Sequence, residues 1–166
     1  MSIEKYNQAK NVIEENDYLV DDFGGASEAI IEKAQVVLDV NFPKDYKTFL
    51  ADYGALTFGS IEVYGVFKED FEDCGVPDIV WTTMNERKLV DMPKYLLILH
   101  NTGMGELYCM NFADLNSNNE PKITSYYPGF PEKAQQNEVL YDSFGEFLLD
   151  MVEVFCLCGQ RKRCDG

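Results

Sequence analysis

Histidine is nearly missing from this chain: His100 is the single one in 166 residues. That scarcity removes most metal centres and nucleophile–base pairs, and no His-x-x-x-His, Walker loop, Gly-x-Gly-x-x-Gly or Gly-x-Ser-x-Gly motif is present. Gly103-Met104-Gly105 lacks the third glycine and leads into a strand, so it reads as a turn and not as a phosphate cradle. Apolar runs of 18 or more residues are also absent, which excludes a membrane-spanning helix. The opening MSIEKYNQAKNVIEENDY is amphipathic and acidic, unlike a signal peptide, so a soluble cytoplasmic protein is expected. Five cysteines, an odd number without secretory targeting, argue for reduced thiols. Cys156, Cys158 and Cys164 lack a fourth zinc ligand, and residues two apart on a helix end do not face one another. Arg161-Lys162-Arg163 favours a reactive thiolate at Cys164, with adventitious disulfide formation as the expected consequence. No cofactor and no metal is expected.

Positive charge is the other shortage. Fourteen Lys and Arg stand against 29 Asp and Glu, for a formal net charge of −15. Residues 1–80 hold 6 basic and 17 acidic side chains, or −11, and residues 81–166 hold 8 and 12, or −4. A field of this sign repels nucleic acid and anionic membrane and attracts a cationic protein. Simple solubility is the competing explanation for the charge.

What the chain does have is a core: 46% of its residues are hydrophobic and 13% aromatic. Its length suits one domain that buries about 70% of the unfolded surface. Ile3, Tyr6, Ala9 and Ile13 recur at helical spacing, and Asp17–Gly25 reads as a polar connection. Ser27 is placed to cap a helix whose buried face is Ile30, Ile31, Ala34, Val37 and Leu38. A further helix starts at Pro43, carries Tyr46, Phe49, Leu50 and Tyr53 inward, and stops at Gly54. From Leu56 the period becomes two, with a tight turn at Gly59-Ser60 and alternation through Ile61, Glu62, Val63 and Tyr64. Asp78 caps a helix through Arg87, with Val80 and Met84 inward. Tyr95–Leu99 reads as a central strand buried on both faces, Leu107–Phe112 and Lys122–Tyr127 as its antiparallel successors. Ser143 and Glu146 form a capping box ahead of Phe144, Phe147, Leu148, Met151, Val152 and Phe155, a helix expected across the sheet or against the Pro43 helix. Helices, an antiparallel sheet and a closing helix make a single α+β domain.

The run Ile30–Leu38, Phe42-Pro43-Lys44-Asp45-Tyr46-Lys47, Phe49-Leu50, Tyr53-Gly54, then Phe58, Ile61 and Gly65, resembles the core of the SUKH superfamily. Gly103-Met104-Gly105-Glu106 before Leu107-Tyr108-Cys109-Met110, and the helix from Ser143, extend the likeness to a core of about 27–157. Tyr53-Gly54-Ala55 departs from the polar residue and paired glycines of many members. The group includes the yeast cell-wall assembly regulator and many bacterial immunity proteins.

That resemblance implies a non-catalytic immunity protein that neutralises a cognate polymorphic toxin, many of which act on nucleic acids and carry basic clefts. An acidic inhibitor suits such a cleft. The expected contacts are Glu62, Tyr64, Glu69, Asp70, Glu72, Asp73, Asp78 and Trp81, where acidic and aromatic residues interleave. A solvated loop is the plainer reading of Glu69–Asp73. A regulatory protein-interaction scaffold like the yeast relatives is the alternative function, and a sheet-pocket enzyme or ligand carrier is the third.

Overall fold

The computed structural model describes residues 1–164, with side chains through Gly159. Among the described residues the chain runs α1 (Ser2–Glu15), β1 (Val20–Asp22), α2 (Glu28–Leu38), α3 (Lys44–Tyr53), β2 (Leu56–Phe58), β3 (Ile61–Val63), α4 (Ile79–Val90), β4 (Leu96–Asn101), β5 (Leu107–Leu115), β6 (Pro121–Tyr126), β7 (Val139–Tyr141) and α5 (Phe144–Cys164). Two antiparallel sheets, β1-β2-β3 and β4-β5-β6-β7, make the α+β architecture expected. None of these helices is long and apolar enough to cross a membrane.

Capping chemistry starts three of the helices where the sequence places it. Ser27 Oγ accepts the Ile30 N–H at 3.3 Å, Asp78 Oδ1 accepts that of Trp81 at 2.8 Å, and Ser143 Oγ accepts that of Glu146 at 3.2 Å. Each satisfies an amide that has no partner within its helix. The box at α5 closes one residue early, because Glu146 Oε2 takes the Asp142 N–H at 2.7 Å. Pro43 is the N-cap of α3 and not its first helical residue, with extended backbone at ψ 158°. Gly54 ends that helix at φ 72°, and a Cβ there would stand 2.3 Å from the Gly24 carbonyl oxygen.

Four expectations about packing are corrected. Val37 is turned outward and Gln35 takes its place on the buried face of α2, where its side chain accepts the Phe42 N–H at 2.8 Å. The connection after α1 contains β1, registered Val20↔Phe58 and Asp22↔Leu56; two aspartates in a three-residue strand hide it from propensity. Strand β4 is buried along its apolar length but ends its own sheet, and the Tyr64 N–H meets its Leu99 carbonyl at 2.8 Å, joining the two sheets there. Helix α5 packs chiefly along α1, with lesser contact to α3, β6 and β7. Gly145 permits that approach, because a Cβ there would lie 2.1 Å from the Ser2 carbonyl oxygen. Tyr46, Phe49 and Phe144 close the centre, with ring centroids 4.9 Å and 5.1 Å apart across α3 and α5.

Candidate functional site

The eight residues expected to form one contact surface divide into an outer and an inner set. Glu62, Glu69, Asp70, Glu72 and Asp73 are exposed, and Trp81 is half-buried at the first turn of α4. Tyr64 and Asp78 are buried, which corrects their assignment as contacts. Tyr64 cannot keep the outward alternation of β3 because its backbone is bonded on both sides: its N–H to Leu99, its carbonyl to the Tyr46 hydroxyl at 2.9 Å. Burial and the neighbouring Glu62 push its phenol up to about 12. Asp78 is drawn in by its cap and by the bridge from Gly65, whose N–H meets Pro77 O at 3.0 Å and whose carbonyl receives the Ile79 N–H at 2.8 Å. Burial raises the Asp78 carboxyl above the usual carboxylate range, against the opposing pull of the Trp81 N–H.

Glu62 stands apart from the acidic loop. It sits on the β2–β3 hairpin, where its carbonyl meets His100 Nδ1 at 2.8 Å. The loop 69–73 instead lies on α2. Lys33 Nζ donates to the Glu69 carbonyl at 3.0 Å and stands 5.6 Å from the centroid of the Phe71 ring. Asp70 Oδ1 accepts the N–H groups of Glu72 at 3.0 Å and Asp73 at 3.2 Å, which folds the loop back on itself. These bonds use the lysine and one aspartate for structure and leave the carboxylates of Glu69, Glu72 and Asp73 facing water. Between loop and helix runs a groove of about 490 Å³, with Val37 and Phe71 as its apolar wall. Val37 is 44% exposed and Val36 beside it 71%. The groove thus sets two apolar side chains beside the exposed carboxylates of the loop.

The other features bear on chemistry. Among the described residues no three His, Cys, Asp or Glu side chains converge to hold a metal ion. Burial raises the thiols of Cys74, Cys109 and Cys156. The reading of Cys164 as a reactive thiol lies outside the described side chains. A larger groove, about 760 Å³, separates the α4–β4 connection from the β6–β7 connection and is lined by Leu89, Met92, Tyr95, Tyr126 and Phe130 among others.

Compared with known families, residues 1–153 match a model described as SUKH_5, SMI1-KNR4 cell-wall. The chain belongs to this SUKH family. In this SUKH_5 chain the match begins at Met1, so it includes α1, whose Tyr6, Ala9 and Ile13 are buried in the same core as α5. No curated protein matches the chain. Lys33, Val37 and Phe71 are the groove residues that sequence reading left out of the site. The outward pair Val36-Val37 was legible only as helix interior, because two adjacent valines cannot show which of them faces water.

Proposed function

We propose that this SUKH_5 protein is a non-catalytic immunity protein that binds and neutralises a cognate toxin in the cytoplasm. The observation that carries the reading is the acidic loop 69–73 folded against α2 beside exposed Val36 and Val37. Long-range attraction from a chain of net charge −15 speeds encounter with a basic partner, a nuclease domain being one such partner. Desolvation of the two valines and Phe71 then slows release. In this reading nothing on the chain transforms a substrate; occlusion does the work. The protein contacts neither nucleic acid nor membrane directly.

The family description, with its cell-wall term, favours a second reading: a regulatory interaction scaffold with several partners. One experiment separates them. The chain is used as bait against the product of the adjacent gene and against a whole-cell extract, at low and high salt, beside the variant Glu69→Gln/Glu72→Gln/Asp73→Asn. A single stoichiometric partner encoded next door, lost at high salt and in the variant, supports immunity. Several unrelated partners, or binding indifferent to both changes, overturns it.

A further inference from the structure

A second acidic site lies away from the loop, where the end of α1, strand β1 and the last turn of α3 flank an open cavity of about 450 Å³. Glu14, Asp17, Asp22 and Asp52 line it against one lysine, Lys10, over a floor of Ile13 and Val20. Lys10 is already engaged: its Nζ lies 3.2 Å from Asp52 Oδ2, an oxygen that also accepts the Tyr6 hydroxyl at 2.5 Å. Asp22 uses one oxygen, Oδ1, to accept the Gly24 N–H at 2.8 Å. The remaining carboxylates give the cavity a surplus of three negative charges with no cation to meet them.

Acidic residues alone would say only that the surface is hydrated. Tyr53 says more. It lines the same cavity, is 8% exposed, and its hydroxyl is buried with no hydrogen-bond partner. Burial first, and then the carboxylates of Glu14, Asp52 and Asp22, act on that hydroxyl. Together they push the phenol up to about 12, which keeps it a neutral O–H with lone pairs free to accept. A hydroxyl without a partner in the free chain gains one when a donor enters.

The chemistry of the lining selects the kind of donor. The carboxylates do not converge into a ligand set for a metal ion. An acidic lining over an apolar floor suits a planar cation that is weakly hydrated and whose N–H groups leave in several directions. We propose that this cavity binds a guanidinium group, the arginine side chain of a protein partner, with its N–H groups shared among Glu14, Asp17, Asp22 and the Tyr53 hydroxyl. Its aliphatic stem lies along Ile13 and Val20. The inference goes beyond the loop surface and does not require that the partner be a toxin.

Titration of the isotope-labelled chain with the peptide acetyl-Gly-Arg-Gly-amide, followed by NMR, tests it without any partner protein. Saturable shifts confined to the end of α1, β1 and the end of α3 are expected. Glu14→Gln/Asp22→Asn should weaken binding about tenfold, charge-assisted bonds being the stronger kind. Tyr53→Phe should weaken it about fivefold with the melting temperature unchanged or raised, since an unpartnered hydroxyl contributes nothing to the free fold. Equal binding by the citrulline peptide, preferential binding of calcium chloride, or a Tyr53→Phe variant that binds as wild type overturns the site. N-propylguanidine, which has the same single cation and stem without a peptide, should bind more weakly; binding as tight as the peptide's overturns the assignment to a protein side chain.

Discussion

Asp45 is a fully buried carboxylate. An acid in the first turn of a helix needs no burial, yet this side chain is wholly enclosed, with Oδ1 accepting the Tyr46 N–H and Oδ2 the Gly145 N–H, each at 2.8 Å. One carboxylate thus serves the N-termini of α3 and α5 together. Burial raises it from 3.8 to about 6, although the two N–H groups pull the other way. Because the folded value exceeds the unfolded one, the folded chain binds the proton more tightly. The stabilisation from this group is full below about pH 4 and is lost as pH rises through about 6. Asp45→Asn offers an amide N–H₂ to one of the two amides and should cost about 2 kcal/mol near pH 7. The gap should widen by up to about 3 kcal/mol toward pH 4, as the wild type alone gains its proton. Urea unfolding of both proteins across that range checks this; a gap that stays constant contradicts it.

At the scale of elements, the approach of α1 to α5 depends on a missing side chain. Alanine at 145 would gain about 1 kcal/mol of helix propensity in isolation. Here its Cβ would meet backbone, 2.1 Å from the Ser2 oxygen and 2.9 Å from the Tyr6 nitrogen, so one helix must shift. Gly145→Ala is therefore expected to destabilise by about 2 kcal/mol, opposite in sign to propensity, and a thermal melt decides the sign. Elements with strong local signals were legible from sequence: the caps at Ser27, Asp78 and Ser143, the stop at Gly54, and the alternation of β2 and β3. What escaped was set by distant partners. Strands β1 and β7 have three residues each and exist through pairing, and Tyr64 turned inward because Leu99 and Tyr46 hold its backbone. The loop 69–73 was legible as acidic and exposed, but its seat on Lys33 and Val37 was not, since those contacts span more than thirty residues.

For the whole molecule, charge and shape act at different stages of binding. The net charge of −15 acts over about one Debye length, roughly 8 Å at physiological salt, and governs encounter. In the proposed complex, Val37 and Phe71 act only on contact and govern release. In the proposed toxin complex, Val37→Ser is therefore expected to speed dissociation while leaving association nearly unchanged, and raised salt to slow association by about tenfold with little effect on dissociation. Surface plasmon resonance resolves the two rates. The most direct measurement of the proposed immunity is the toxic activity of the adjacent gene's product titrated with this protein. The account predicts that activity falls linearly to zero at one equivalent, with both chains recovered chemically unchanged. Full toxin activity in the presence of excess protein, or loss of activity with a modified toxin, would contradict it.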